Sequence, residues 1–418
     1  MNCIRTVIAT LAAMFVVSSS LAADVYFDGG AGGTGTDLAS AANWEGDVLP
    51  GAGDVAIIDW NRGAFTKAFT LSSDLAVKGL KFNNNSDDGK SLTGVGTLAL
   101  GEGGLTEAGK MTIDAPIEIV ADQTWTMGYV QLKRGLKMGH AITISAGVLN
   151  MTDTTAEDAF DVSTGTTLKS AGSFFEMNGK TVRVTGGTLT VDNQLMLAQS
   201  AGAYASVGHP SLFEVSAGSV STKYMFAGVY TLGASDAEQV VRHTGGTVTA
   251  NQVVIGGGTC GRTSVAYGEY VLDGADAVLD VSSADTAYDY GLSLAGNISG
   301  TANPDWPMPG SFVQKSGTTK ASRVQFGLNY KAFPHWEQTA AGAQGCGFGY
   351  WGLFGGTFEL GAAGVQLSSK WNAGSVSQAV YRIDFGGGTL KPTAGTDIKL
   401  AFAVTDGNGT PFTWDTGA

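Results

Sequence analysis

The chain has 418 residues, of which 62 are glycine and only 15% are charged, and its formal net charge is −13. A surface of that sign, with no basic patch to offset it, excludes recognition of a phosphate backbone, so nucleic acid is not an expected partner. The 43% hydrophobic content, in regular Val, Leu and Phe positions, argues against a disordered glycine-rich linker.

The first element is a leader. Arg5 precedes an apolar run from Thr6 to Val17, and small residues lead to Ser20-Leu21-Ala22 with Ala23 next. Charge, short apolar core and a small-x-small site make a secretory signal peptide over residues 1–22, with cleavage expected after Ala22. The run is shorter than the roughly 20 residues that span a bilayer, and no second apolar run of that length follows, so no transmembrane segment is expected after leader removal. Cys3 leaves with the leader. Cys260 and Cys346 remain, and they fit either one disulfide or two buried thiols.

Downstream, the apolar runs are short, often alternate, and are broken by Gly, Asn or Asp, which predicts many short strands and tight turns. The middle of the chain repeats a phrase. Val184-Thr185-Gly186-Gly187-Thr188-Leu189 returns as Val215-Ser216-Ala217-Gly218-Ser219-Val220 and as His243-Thr244-Gly245-Gly246-Thr247-Val248. Looser copies are Gln314-Lys315-Ser316-Gly317-Thr318-Thr319, Gly355-Gly356-Thr357-Phe358 and Gly387-Gly388-Thr389-Leu390. The anchor glycines 187, 218, 246, 317, 356 and 388 are 31, 28, 71, 39 and 32 residues apart, and the gap of 71 leaves room for a degenerate copy near Asp273–Leu279. Repeats of this size predict rungs whose inward residues are buried only by stacking, with glycine at the corners. A parallel β-helix meets this requirement. A series of β-sandwiches, which also uses short strands and turns, stays open on the residues alone.

Asp28-Gly29-Gly30, Ala42-Asn43-Trp44, Leu49-Pro50-Gly51-Ala52-Gly53-Asp54, Val77-Lys78-Gly79-Leu80-Lys81-Phe82 and Leu92-Thr93-Gly94-Val95-Gly96-Thr97 resemble the opening of autotransporter-associated β-strand repeat proteins. Phe385-Gly386-Gly387-Gly388-Thr389-Leu390 is similar to the same group. The resemblance implies a right-handed β-helical passenger, secreted or held at the cell surface in association with an outer membrane, and carries over no catalytic residue. Such chains continue into further repeats and a membrane barrel or sorting tail. Here none follows Gly417-Ala418, so the chain is expected to be a fragment or a secreted protein. The expected fold is all-β, a right-handed parallel β-helix (β-solenoid) with irregular glycine-rich rungs. Residues 23–110 form an N-terminal cap and first rungs, and residues 111–418 form the repeat region.

Candidate chemistry is sparse. His140, His209, His243 and His335 have no paired metal spacing, and His243 stands where other copies carry Val or Gln, a structural position. Gly32–Ala39 nominally fits a calcium-binding nonapeptide but lacks its large apolar residue, and Asp406–Thr410 lacks the acidic residue that closes a calcium loop. No cofactor or metal is expected. The acidic set Asp273, Asp276, Asp280, Asp285 and Asp289 would suit a polysaccharide lyase or hydrolase only with a basic partner, which is not evident. Aromatics gather between Trp306 and Trp351, and Trp306, Trp336, Tyr350 and Trp351 are candidate carbohydrate contacts, with core packing as the competing reading. The expected function is a non-enzymatic surface scaffold or adhesin, with a carbohydrate-binding module and a polysaccharide-degrading enzyme as alternatives. Extracellular glycans or cell-envelope components are the expected partners.

Overall fold

The computed structural model describes residues 22–84, 89–134, 136–152, 160–163, 165–170, 174–178, 181–197, 211–228, 237–256, 266–283, 291–294, 310–326, 348–367, 380–393 and 413–414. Trp306, Trp336, Cys260, Cys346, His209, His335, Asp285, Asp289, the Asp406–Thr410 turn and the leader up to residue 21 lie outside them.

Among the described residues every pairing between strands is parallel, and each strand pairs with one about a repeat away. Parallel neighbours cannot be joined by a tight hairpin and need a long crossover. Here the crossover is the rest of the rung, because the pairings resolve into three ladders that the chain visits in turn. The strand Leu98–Asp114 covers all three in one pass. Its residues 98–100 pair with Leu75–Val77 and Ile117–Ile119 in the first ladder. Residues 104–107 pair with 79–82 in the second, and 111–114 with 90–93 in the third. The same order recurs in Ser211–Ala227, which pairs with Ala237–His243 in the first ladder and with Thr247–Ile255 in the second and third. The result is a mostly β, solenoid-like stack in which each rung adds about one strand spacing, ~4.8 Å.

The repeat glycines are the corners of this stack. Gly218, Gly246, Gly317, Gly356 and Gly388 all have φ between +72° and +82°, a region that side chains with a Cβ avoid. They also sit on one another. A Cβ on Gly246 would lie 2.5 Å from the Gly218 carbonyl oxygen, and one on Gly356 would lie 2.2 Å from that of Gly317. The missing copy exists: Val278–Asp280 pairs with Thr247–Thr249 on one side, Val278–Val281 pairs with Thr318–Ala321 on the other, and a Cβ on Gly317 would lie 2.5 Å from the Gly274 oxygen. In the rungs from Thr181 onward, the segments between 197 and 211, 228 and 237, 256 and 266, 294 and 310, 326 and 348, and 367 and 380 each follow a third-ladder strand and precede the next first-ladder strand.

Alternation sets what faces inward. In the first ladder Val182, Phe213, Val241, Tyr270, Phe312 and Trp351 stack in register, and all are fully buried. Burial of each such side chain stabilises by roughly 1.5–3 kcal/mol. The inward residues grow aromatic toward the end, where Trp351 packs 4.8 Å from Phe358 and 5.4 Å from Phe385. From Gln131 onward the third ladder is buried on both sides. Its outward residues Gln131, Asn150, Met196, Phe226, Val254 and Gln325 are at most 2% exposed. Outward residues of the first ladder range from buried to exposed, and Asp161, Arg242 and Arg382 are among the exposed ones.

The open end of the first rungs is covered by residues 27–47. Trp44 is buried and donates its indole N–H to the Leu38 carbonyl at 2.9 Å, and Phe27 meets Trp44 and Phe69 edge to face at 5.3 and 5.6 Å. Such a cover protects ladder edges that would otherwise template pairing with another chain.

Candidate functional surface

The exposed side of the first ladder carries the densest chemistry among the described residues. Because Val182, Phe213 and Val241 point inward, the residues after them point out, and register places Asp161, Arg183, Glu214 and Arg242 in one column. Arg183 Nε is 2.7 Å from Glu214 Oε2 and its Nη1 is 3.9 Å from Asp161 Oδ1, while Arg242 Nη1 is 3.6 Å from Glu214 Oε1. Alternating charges one strand apart attract, so the column supports the stack, each exposed pair adding ~0–1 kcal/mol.

Further along the same side, this column runs on through Val271 and Val313 to Gly352 and Asp384, beside a second outward column that ends in Tyr350 and Arg382. Tyr350 pairs with Arg382, and Gly352 with Asp384. The Tyr350 hydroxyl donates to Asp384 Oδ2 at 3.1 Å, and Arg382 holds the same carboxylate through Nε at 3.0 Å and Nη2 at 2.7 Å. Partial burial, and then the adjacent Asp384 charge, push the Tyr350 phenol up to about 12. Gly352 leaves bare backbone between two rings. A Cβ there would lie 2.6 Å from Phe354 Cε2 and 3.0 Å from the Tyr350 hydroxyl, so both rings lean over this glycine. Phe354 is 36% exposed, unusual for a large apolar residue in this chain. The arrangement is a small aromatic shelf edged by a guanidinium and a carboxylate.

Of the candidate carbohydrate contacts, Tyr350 lies on this shelf. Trp351 does not: it points inward at 0% exposure against Phe358 and Phe385, so its ring has no free face to stack on a sugar. Adjacent residues on a strand face opposite ways, which separates the two. Phe354, Arg382 and Asp384 are not singled out by sequence motifs, although the alternation in Tyr381-Arg382-Ile383-Asp384-Phe385 places the two charged residues on one face.

The acidic set does not converge among the described residues. Asp273 lies 3.6 Å from Lys315 and accepts from Ser316 Oγ at 3.3 Å at the glycine corner. Asp280 accepts from the amide of Ser282 at 3.0 Å on the outside of the second ladder. No three His, Cys, Asp or Glu residues among those described could hold a metal together. In the Gly32–Ala39 stretch, Asp37 is occupied by the amides of Ala39 and Ser72 at 3.0 and 3.2 Å and by the Ser72 hydroxyl. Burial opposes its ionisation, but these hydrogen bonds outweigh it and hold its carboxyl below the usual range.

His140 is exposed, 3.5 Å from Asp122. His243 is fully buried and points inward, three residues before anchor Gly246. Its Nε2 is 3.1 Å from the Gly246 carbonyl. Gln314, three residues before Gly317, donates in the same way to the Gly317 and Thr357 carbonyls at 3.1 and 3.0 Å. Polar residues in this column therefore tie down corner carbonyls, a structural task. No described helix is long and apolar enough to cross a membrane. No family model, curated protein or solved structure matches the chain.

Proposed function

We propose that the protein is a right-handed parallel β-helix that is exported and acts as a surface scaffold or adhesin. The observation that supports this most is the continuity of three parallel ladders, which yields a stiff body whose length grows with rung number. Right-handedness follows from the twist of L-residue strands, which makes parallel crossovers right-handed in nearly all sheets. The exposed first-ladder side offers contacts along the whole axis, in keeping with adhesion rather than turnover. Protease shaving of intact cells, with blotting of medium and envelope fractions, tests the reading. Protein in the medium, or removed by shaving, is expected; protein protected inside the cell contradicts it.

A second reading, contact with glycans, is favoured by the shelf of Tyr350 and Phe354 beside Arg382 and Asp384. Aromatic faces stack on the apolar face of a pyranose, and a planar ion pair can exchange hydrogen bonds with its hydroxyls. Affinity electrophoresis through gels containing neutral and acidic polysaccharides reads this directly. Retardation lost in Tyr350→Ala and Phe354→Ala supports it, and retardation by no polysaccharide removes it.

A further inference from the structure

The expected cleavage point lies among exposed residues just before the first described strand. Ala22, Ala23 and Asp24 are exposed, and Phe27 is the first buried residue among those described. The Ala23 carbonyl accepts from Val55 N at 2.9 Å, and Asp24 pairs with Val55. The nitrogen of Ala23 itself is 3.0 Å from Asp54 Oδ1. Asp54 Oδ2 accepts from the Gly51 amide at 2.9 Å, which fixes the carboxylate. Lys78 lies one rung on, and its backbone N–H donates to the Asp54 carbonyl at 2.8 Å, while its Nζ is 2.8 Å from Glu102. Among the described residues no side-chain cation pairs with Asp54.

We infer that Asp54 is a seat for the α-ammonium of Ala23, which forms when the Ala22–Ala23 peptide bond is hydrolysed during export. This rests on the exported reading above. In the hydrolysis, water supplies the oxygen of the new Ala22 carboxylate, and the Ala23 nitrogen leaves protonated. A neutral amide that made one hydrogen bond becomes a cation with three donors, already at contact distance from a fixed carboxylate. Processing then does more than remove the leader: it anchors the strand Asp24–Tyr26, which among the described residues pairs only with Val55–Ile57. Asp24 adjoins the same nitrogen along the chain, and its negative charge favours the ammonium as well.

Two measurements separate the parts of this proposal. Intact mass and N-terminal sequencing of protein exported by its own leader should give a start at Ala23, and any other start overturns the processing step. Independently, chains made to begin at Ala23 or at Leu21 are melted, each with Asp54 or with Asp54→Asn. The two-residue extension keeps the Ala23 amide but removes its charge. The Ala23 start should melt about 1–2 °C higher with Asp54, and the difference should vanish with Asp54→Asn. An equal difference in both backgrounds, or none in either, overturns the pairing.

Discussion

The Tyr270 hydroxyl lies 2.8 Å from Nδ1 of His243, and the register of the first ladder places both residues inward, one rung and one inward position apart. The other ring nitrogen faces the Gly246 carbonyl, which can only accept. Nε2 therefore carries a proton, and in the neutral ring, which burial favours, Nδ1 accepts from Tyr270. Both groups sit in the core at 0% exposure, and burial raises the Tyr270 phenol well above its ordinary value.

This pair makes stability depend on pH in a specific window. Burial lowers His243 from 6.5 to about 4, against the weaker opposing pull of the Gly246 and Gly245 carbonyls. The unfolded chain therefore takes up this proton first as pH falls, so the contribution is full above about 6.5 and is lost progressively down to about 4. The loss is about 3 kcal/mol at its full extent. His243→Gln, which copies the glutamine at position 314 of the same column, should flatten this window in denaturant melts across pH. An unchanged slope would show that His243 is not buried as a neutral ring.

Inside the first rungs, Lys90 Nζ is 2.9 Å from Glu107 Oε1, with both side chains at 0% exposure, and the Gly109 amide donates to the same oxygen at 2.7 Å. Glu107 Oε2 has no hydrogen-bond partner. Removing one charge strands the other, so Lys90→Met should cost about 3–5 kcal/mol, whereas Lys90→Met with Glu107→Leu should recover most of it. Chemical denaturation of the two singles and the double reads the coupling, and additive losses would deny it.

The corner stack predicts a sharp contrast between glycines. Gly246 combines φ +74° with a virtual Cβ 2.5 Å from a backbone oxygen, whereas Gly53 has open space and no positive φ. In thermal melts, Gly246→Ala should cost at least about 1–3 kcal/mol, and Gly53→Ala should change the melting temperature little.

The two neighbours Tyr350 and Trp351 should divide stability from binding. Trp351→Ala opens the aromatic end of the core and should cost about 3–5 kcal/mol. Tyr350→Ala and Phe354→Ala should leave melting within about 1 kcal/mol of the parent, and on the glycan-contact reading they should reduce retardation in polysaccharide gels.

The features legible in the sequence are those with a local signature. The corner glycines carry the period, and the degenerate copy at Asp273–Leu279 can be placed because its turn and strand retain the pattern around Gly274. His243 is legible as structural from its place in the phrase. Other features depend on register, which one sequence conceals where rung length drifts. Lys90 and Glu107 are 17 residues apart on different ladders. Arg183 and Glu214 are 31 apart, a separation that means contact only once the rung length is known. In Phe348-Gly349-Tyr350-Trp351-Gly352-Leu353 both phases of the alternation carry an aromatic residue, so inward and outward are told apart only when Phe312 fixes the column.

The stacking itself is best tested by distances between spin labels in one outward column of the second ladder, after both remaining cysteines are replaced by serine. Register runs from Thr190 through Ser221, Thr249 and Asp280 to Lys320, and on through Glu359 to Lys391. At ~4.8 Å per rung, the pairs Thr190→Cys/Lys320→Cys and Thr190→Cys/Lys391→Cys should give narrow backbone separations of about 19 and 29 Å. Distances that do not rise with rung number, or that are broad for both pairs, would contradict a stack of parallel rungs.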